Sequence, residues 1–276
     1  MIPFTKAQAC GNDFLIVAED AAREADGVEH WPELTRRLCA RSTGIGADGI
    51  EFFRWTGPTS GRVRLHNADG SYAEISGNGT RCVAAWMAQA LDSRPGDALE
   101  IATDAGLRVC HVNAISTSGT FTVDITAGMG VPIFAPRTVV LANGFAIPGV
   151  DVSMGNPHFV ILADNPGFTI RGCDWQTLGA EICVHQNFPH QTNVLFFRIV
   201  SPAEIEIRIF ERGVGPTTSS GTGSCASATA AIALHGCHSP LTVVAPGGAQ
   251  TVTWDHPGAE LHLTGPAALI ARGEAW

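Results

Sequence analysis

Positive charge is scarce in this sequence, and the scarcity limits what the protein can bind. The 276 residues include 17 Lys and Arg against 26 Asp and Glu, which gives a formal net charge of −9. A chain with this balance is poorly suited to nucleic acid or to an anionic membrane surface, so we expect neither as a partner. The sequence also lacks an apolar run long enough to span a bilayer, and a basic N-terminal stretch followed by an apolar one. We therefore expect neither a membrane anchor nor a secretory leader.

Cysteine pairs are missing as well. The eight cysteines are scattered along the chain, with no Cys-x-x-Cys motif. Reduced cysteines are the default for such a pattern, so we expect a cytoplasmic protein. The segment from His235 to His238 contains two His and one Cys but has no second ligand group at zinc-like spacing. We interpret it as a helix end and expect no metal site.

The sequence does contain a glycine loop that occurs twice. Ser76-Gly-Asn-Gly-Thr80 and Ser220-Gly-Thr-Gly-Ser224 each precede a run of small and apolar residues. The pattern predicts helices over 81–91 and 224–234 that have no polar face and must be enclosed. First-turn N–H groups lack partners within a helix, and the helix dipole adds partial positive charge, so each loop is a candidate anion site. Two such loops suggest two half-sites that face one ligand, the alternative being two ordinary core helices.

A third glycine-rich segment has a different interpretation. Gly44 to Gly49 formally matches the G-x-G-x-x-G pattern of dinucleotide-binding proteins. That motif should follow a strand and open a helix, whereas this segment follows a predicted helix and precedes an apolar strand. We interpret it as a loop.

The rest of the chain consists mainly of short strands joined by polar turns. Its length allows two domains or one large one. Each half contains a series of strands, one peripheral helix (31–41 and 175–183) and one apolar helix. We therefore predict an α/β (α+β) fold of two similar halves with a cleft between them, each a curved, mainly antiparallel sheet around its apolar helix. The predicted boundaries are 1–121 for the first half, onto which the tail 267–276 pairs back, and 122–266 for the second.

Polar residues that strands do not require lie in five short segments. Singly, each has an ordinary interpretation, such as turn capping or an exposed ion pair. Beside two helix N-termini they describe a site for a zwitterion, because amides and N–H groups bind a carboxylate, Glu211 suits an ammonium, and Arg212 can hold a carboxylate in a bidentate manner. The segments are Asn12-Asp13, Asn67-Ala-Asp69, Asn156-Pro-His158, Thr192-Asn193 and Glu211-Arg212.

These motifs, in order along essentially the whole chain, resemble the pyridoxal-phosphate-independent diaminopimelate epimerases. The resemblance implies two pseudo-symmetric domains and a cytoplasmic homodimer. It also implies cofactor-free inversion at one α-carbon of a diamino dicarboxylic acid, interconverting LL- and meso-2,6-diaminopimelate for lysine and peptidoglycan precursors. By position, the implied ligand-holding residues are Asn12, Asn67, Asn156, Asn193, Glu211 and Arg212, and the implied loop residues for the reacting carboxylate are Gly77, Asn78, Gly221 and Thr222. The matching motifs are Gly11 to Phe14, Gly44 to Gly49, Asn67 to Ser71, Ser76 to Gly79, Gly155 to His158, Phe188-Pro189, Thr192 to Val194, Glu211 to Gly213, Ser220 to Gly223, Pro246 to Gly248 and Leu263 to Pro266.

The chain departs from that family at the two residues that open the glycine loops. The family has a cysteine at each, one a thiolate base and the other a thiol acid on the opposite face of the α-carbon, whereas this chain has Ser76 and Ser220. A free thiol has a pKa of about 8.5, which a helix N-terminus lowers, while a serine hydroxyl is a far weaker acid. A serine needs a neighbouring base. His158 and Glu211 hold positions that could serve the two serines as catalytic partners.

Other cysteines are poor replacements for the missing thiols. Cys82 and Cys225 lie more than one helical turn beyond the serines, and we predict that both are small core residues. Cys10 lies beside Asn12, but nothing pairs it with an opposite face.

Three functions stay open from the sequence. The first is an epimerase of the diaminopimelate type, whose serines are either natural or a replacement for cysteine made to capture ligand. The second is a related isomerase or lyase that acts on a more acidic carbon. The third is an amino-acid-binding protein without catalysis. The pocket residues discriminate among substrates, and only the two serines bear on the reaction.

Overall fold

The protein is described here by a computed structural model that covers residues 1–26 and 30–276. Over these ranges it contains five helices and 17 strands. The helices are α1 (Glu19–Asp26), α2 (Trp31–Cys39), α3 (Gly77–Ala90), α4 (Trp175–Cys183) and α5 (Gly221–His235). The strands are β1 (Ile2–Ala9), β2 (Asn12–Ala18), β3 (Gly49–Trp55), β4 (Ser60–Asn67), β5 (Tyr72–Ala73), β6 (Ala98–Thr103), β7 (Gly106–Ser116), β8 (Thr122–Gly128), β9 (Ile133–Val140), β10 (Ala146–Ser153), β11 (Pro157–Leu162), β12 (Asn193–Ser201), β13 (Glu204–Glu211), β14 (Gly215–Thr217), β15 (Leu241–Ala245), β16 (Gly248–Thr253) and β17 (His262–Ala275).

The chain divides into two compact units. The first unit comprises 1–128 and 264–276, and the second unit comprises 129–263. The C-terminal residues belong to the first unit because Ala268 to Ala275 of β17 pair antiparallel with β1.

The first unit is a closed ring of strands around α3. β1 pairs with β2, and the pairing continues through β3, β4, β6, β7 and β8 to β17, which returns to β1. The helix α3 packs against β1, β2, β6, β7 and β8, so strands surround it on several sides. Eleven of its 14 residues are buried, which explains why its sequence has no polar face.

Two helices, rather than the single peripheral one we predict from the sequence, cover the outside of the first unit. The predicted helix over 31–41 ends at Cys39, and α1 precedes it. Among the described side chains of α1, those of residues 19–24, Ala22 is a buried apolar one, and the helix sequence is mostly charged, so apolar periodicity gives little sign of it. A core of large side chains, including Leu15, Trp31 and Phe52, lies under these helices.

The second unit repeats this arrangement around α5. The order of pairings β10–β11, β11–β12, β12–β13, β13–β15 and β15–β16 is antiparallel, parallel, antiparallel, parallel, antiparallel. The same alternation describes β1–β2, β2–β3, β3–β4, β4–β6 and β6–β7 of the first unit. The helix α5 packs against β10, β11, β12, β13, β15 and β16, while α4 packs on β12, β13 and β14. The predicted fold class of two similar halves, each with a sheet around an apolar helix, is confirmed.

The boundaries of the central helices differ from the sequence prediction in one informative way. Instead of beginning at residues 81 and 224, α3 and α5 begin at Gly77 and Gly221. The glycine loops are therefore the first turns of the two helices and not separate segments that precede them. A capping serine precedes each turn and stabilises it in spite of the low helix propensity of glycine.

Candidate active site

Ser76 is the N-cap of α3. Its backbone is extended (φ −124°, ψ 123°), and its Oγ accepts a hydrogen bond of 3.0 Å from the Gly79 N–H. The Ser76 carbonyl oxygen accepts from the Thr80 N–H and the Thr80 hydroxyl, each at 2.8 Å. The hydroxyl therefore lies at the positive end of the helix, where the dipole favours negative charge.

Asn78 and Asn12 meet beside this cap. Asn78 is fully buried, and its Nδ2 donates to Asn12 Oδ1 at 3.2 Å, while Arg81 Nη2 donates to Asn78 Oδ1 at 2.8 Å. The Asn12 amide in turn donates to Asp48 Oδ2 at 2.6 Å. Asn12, an implied ligand-holding residue, and Asn78, an implied loop residue, are thus fixed in orientation by the first unit itself.

Asp48, which is not among the predicted site residues, organises this part of the first unit. Besides binding Asn12, its carboxylate accepts from the Asp13 N–H at 3.1 Å and from Arg41 Nη2 at 2.7 Å. Its backbone carbonyl accepts from the Ala68 N–H at 2.8 Å, next to Asn67. The signal in the sequence is the single charged residue of the loop from Gly44 to Gly49.

Asp13 completes the ion network. Lys6 Nζ lies 3.0 Å from Asp13 Oδ2, and Arg41 Nη2 donates to Asp13 Oδ1 at 2.8 Å. Burial alone would raise the pKa of this carboxyl, but the hydrogen bonds from Arg41 and Lys6 lower it below its usual value. The carboxylate is therefore charged at neutral pH and holds the start of β2 in place.

Asn67 lies at the end of β4, opposite Gly49 of β3. Its Nδ2 donates to Ser71 Oγ at 3.0 Å, and its N–H donates to the Ser71 carbonyl at 2.8 Å. The polar segments of the sequence are thus not separate loops, as their composition suggests. Asn12 begins a strand and Asn67 ends one, and the parallel pairing of β2 with β3 sets both strand ends close to Asp48.

Ser220 caps α5 as Ser76 caps α3. Its backbone is extended (φ −150°, ψ 123°), and its Oγ accepts from the Gly223 N–H at 3.1 Å. The Ser220 carbonyl accepts from the Ser224 N–H at 2.9 Å. The repeat that is visible in the sequence is thus a repeat of geometry.

His158 contacts the second glycine loop through Thr222. Its Nδ1 is 3.1 Å from the Asn156 carbonyl and its Nε2 is 3.2 Å from Thr222 Oγ1. Burial lowers the pKa of this imidazole to about 4, so the ring is neutral at pH 7. Because a carbonyl can only accept, Nδ1 carries the proton and Nε2 accepts from the Thr222 hydroxyl. Both ring nitrogens are thus bonded within the second unit, to groups other than Ser220.

Asn156 and Asn193 lie on either side of this histidine. The Asn156 Nδ2 donates to Thr222 Oγ1 at 3.3 Å, while its Oδ1 is buried without a hydrogen-bond partner. Asn193 pairs with His158 in the parallel register of β11 and β12, and its Oδ1 accepts from the Arg212 N–H at 2.9 Å. A buried amide oxygen without a protein partner is costly, so this oxygen is available to a donor from outside the chain, such as water or a ligand.

Glu211 is the last residue of β13, and Arg212 follows it in the chain. Both are half-buried, and the Arg212 Nη1 donates to the His190 carbonyl at 3.2 Å. Asn193 holds the Arg212 backbone, so the guanidinium is presented from a fixed point. In the second unit the structure brings together Asn156, His158, Asn193, Arg212, Ser220, Gly221 and Thr222.

The neighbouring cysteines belong to the core. Cys82 and Cys225 are fully buried inside α3 and α5, and Cys10 is 7% exposed. Burial raises the pKa of the Cys82 thiol, which keeps it neutral. Within residues 1–26 and 30–276, no group of three or more His, Cys, Asp or Glu residues is arranged to hold a metal ion. The helices that the structure describes are all too short or too polar to cross a bilayer.

The sequence is similar to a known protein family and to individual relatives over most of its length. Residues 4–133 and 150–270 match the family model described as diaminopimelate epimerase. A diaminopimelate epimerase of Thermosynechococcus vestitus is 35% identical, the alignment covering 99% of this chain and 98% of the relative. One from Desulfitobacterium hafniense is 34% identical, with 97% and 96% covered. The chain belongs to the diaminopimelate epimerase family. Its relatives by sequence are amino-acid isomerases, and this family member is therefore an enzyme of the isomerase class.

Solved structures confirm the fold of this diaminopimelate epimerase family member. A probable proline racemase from Agrobacterium radiobacter has a TM-score of 0.75 at 13% identity, covering 100% of this chain and 93% of the other. A hydroxyproline epimerase from Agrobacterium vitis has a TM-score of 0.72 at 14% identity, covering 99% and 90%. At these identities the likeness concerns the backbone fold alone.

Proposed function

We propose that this protein binds 2,6-diaminopimelate and interconverts its LL and meso forms by proton transfer at one α-carbon, without a cofactor, in the biosynthesis of lysine and peptidoglycan precursors. The observation that carries the proposal is the match along 99% of the chain to a protein named for this reaction. Further support comes from the two serine-capped glycine helices, one in each unit, with fixed amides beside them.

In this proposal the first-turn N–H groups at Gly77, Asn78, Gly221 and Thr222 bind the reacting carboxylate. A helix N-terminus suits this task because its N–H groups and its dipole both favour an anion. Asn156 supports the proposal, since its partnerless Oδ1 can accept from an ammonium group.

The other end of the ligand is assigned to Glu211 and Arg212. Glu211 offers a carboxylate to an ammonium, and the planar guanidinium of Arg212 matches a carboxylate through two parallel hydrogen bonds. Asn193 contributes by holding the Arg212 N–H at 2.9 Å. Asn12 and Asn67 are assigned to ligand binding from the first unit.

Ser76 and Ser220 are the proposed acid and base residues, and they make the reaction slow. A serine hydroxyl forms almost no alkoxide near neutral pH, whereas the cysteines of the family form thiolates readily. A serine at these positions stabilises the helix instead, because Ser is among the preferred N-cap residues. We therefore expect diaminopimelate to bind but to turn over slowly.

The location and assembly follow from the same proposal. We assign the protein to the cytoplasm, as a homodimer that binds a small molecule and neither nucleic acid nor membrane. Analytical ultracentrifugation tests the dimer directly, and a single species of 29.0 kDa would contradict it.

Two other functions deserve comparison because both reacting residues are serines. One is isomerisation or elimination at a more acidic carbon, where a serine suffices as base. The other is binding of an amino acid without catalysis. Both predict that thiols introduced at positions 76 and 220 give no epimerase activity.

The decisive experiment measures the wash-in of solvent deuterium at the α-carbons of LL- and meso-diaminopimelate. Ser76→Cys together with Ser220→Cys should raise the exchange rate by about 100-fold or more, and neither change alone should suffice, because inversion needs a base on one face and an acid on the other. A thiol-alkylating reagent should then abolish the gain. If the double variant folds and binds diaminopimelate by calorimetry but exchanges no α-proton, the epimerase proposal is wrong.

A further inference from the structure

A carboxyl group is buried in the first unit at a place where the fold does not require one. Glu51 lies in β3, is 1% exposed, and its Oε2 has no hydrogen-bond partner. Burying a carboxyl group without full pairing is costly, so a residue of this kind is a candidate for function.

This carboxyl lies against the first turn of α3. A Cβ at Gly79 would collide with Glu51 Oε1 and would lie 3.1 Å from Glu51 Cδ and 3.2 Å from Ser76 Cβ. The Glu51 carboxyl and the Ser76 side chain therefore border the same small space, which glycine at position 79 keeps open. Ser76 Oγ accepts from the Gly79 N–H, so its own proton is free to be donated to a separate acceptor.

The second unit provides an internal comparison. A Cβ at Gly223 would lie 3.0 Å from Ser220 Cβ and 3.0 Å from Leu195 Cδ1. Leu195 follows Asn193 by two residues in β12, as Glu51 follows Gly49 by two residues in β3. Glu51 and Leu195 thus occupy corresponding positions under the glycine turns of the two units. In the second unit the apolar side chain of Leu195 fills this position. Packing does not explain the carboxyl.

The surroundings of Glu51 make it an unusual carboxyl. Its register partners on β2 and β4 are the apolar Ile16 and Leu65. On α3 the thiol of Cys82 interacts electrostatically with Glu51 and is kept neutral by burial, and the buried guanidinium of Arg81 also acts on this thiol. Burial raises the pKa of Glu51 to about 8. Its carboxylate is therefore a much stronger base than an exposed one.

We propose that Glu51 is the proton acceptor of the Ser76 hydroxyl, a positioning residue that acts on the substrate through Ser76. The inference rests on the proposed function, in which Ser76 removes an α-proton. In the step, Ser76 Oγ takes the α-proton as the Cα–H bond breaks, and the original hydroxyl proton passes to Glu51. The products are a carbanion, an intact Ser76 hydroxyl and a neutral Glu51 carboxylic acid. No free alkoxide is needed.

The first test compares wild type with Glu51→Gln and Glu51→Leu, the latter copying the second unit. Deuterium wash-in into LL-diaminopimelate is measured between pH 6 and pH 9, with affinity from calorimetry. We expect the wild-type rate to rise about tenfold per pH unit up to about pH 8. Both variants should lose this rise and exchange at least about tenfold more slowly at pH 8, with affinity within about twofold. Leu195→Met is the matched control and should keep the wild-type pH profile.

A merely structural role gives a different result. If affinity and exchange fall together in Glu51→Gln while the pH profile keeps its shape, Glu51 supports the loop only and the proposal is overturned. An unchanged exchange rate also overturns it.

The second test does not depend on turnover. A thiol is introduced by Ser76→Cys, and its alkylation by iodoacetamide is followed by mass spectrometry with and without Glu51→Gln. A carboxylate beside the thiol raises the pKa of the thiol, so removing it should make alkylation about tenfold faster at pH 9. Equal rates overturn the proposal whatever the ligand results. If wild type fails to bind diaminopimelate, the proposed function fails, and this titration alone decides the link between Glu51 and position 76.

Discussion

The buried carboxyl of Glu51 makes a prediction about stability that is independent of the reaction. In the folded protein burial raises the pKa of Glu51 to about 8, from an ordinary value of 4.5 in the unfolded chain. Between these two values the fold keeps the proton and the unfolded chain has lost it. The contribution of Glu51 to stability is therefore complete below about pH 4.5 and is lost as pH rises towards 8.

The size of the effect follows from the two pKa values. Each pH unit in this window removes about 1.4 kcal/mol from the free energy of unfolding. Between pH 5 and pH 8 the loss is on the order of 4 kcal/mol. Glu51→Gln has no proton to lose, so the free energy of unfolding of this variant, relative to wild type, should increase by that amount over the same range.

The comparison with Glu51→Gln also removes the effect of His158. Burial lowers the pKa of His158 to about 4, below its unfolded value of 6.5, so its contribution is present above pH 6.5 and is lost as pH falls towards 4. That trend has the opposite sign but is common to both proteins, and it cancels in their difference. Leu195→Met, which alters the corresponding place in the second unit, should differ from wild type by the same amount at every pH.

The assay is urea-induced unfolding of the three proteins at pH 5, 6, 7 and 8, followed by circular dichroism. A difference between Glu51→Gln and wild type that stays constant across these pH values would refute the reasoning. It would mean that Glu51 is ionised in the fold, and Glu51 could then not be the strong base that we propose.

Two further predictions concern the binding residues and the caps. Arg212→Ala should weaken diaminopimelate binding by about 2–5 kcal/mol if the guanidinium holds a desolvated carboxylate, and calorimetry that gives unchanged affinity would assign Arg212 to the surface. Ser76→Ala and Ser220→Ala should each lower the free energy of unfolding by about 1 kcal/mol in urea titrations, because Gly79 and Gly223 lose their hydrogen-bonded caps at 3.0 and 3.1 Å. If the free energy of unfolding is unchanged in both variants, water replaces the serine oxygens as acceptor for these N–H groups, and the prediction is wrong.

Much of the fold can be predicted from the sequence because its signals are local. The two glycine loops and the apolar runs after them predict helices with no exposed face, and both α3 and α5 are enclosed in this way. The predicted helix over 175–183 has the bounds of α4. Family membership is likewise a property of the sequence, since its motifs lie in one order along the whole chain.

Other features depend on contacts between residues far apart in the chain. The charged helix α1 gives little periodic signal, and packing on β1, β2 and β3 decides that it forms. Asp48 is one acidic residue in a glycine loop until β2 and β3 pair and bring Asn12 to 2.6 Å from it.

Glu51 illustrates the limit most clearly. In the sequence it is an acidic residue in a strand that also contains Arg54, and its charge alone favours an exposed position. Only closure of the strand ring around α3 encloses this residue, places the carboxyl beside Ser76 and raises its pKa. The sequence by itself determined which residues are available and which local elements they form. The tertiary structure decided which of them share a low-dielectric space, because burial and proximity are properties of the packed chain.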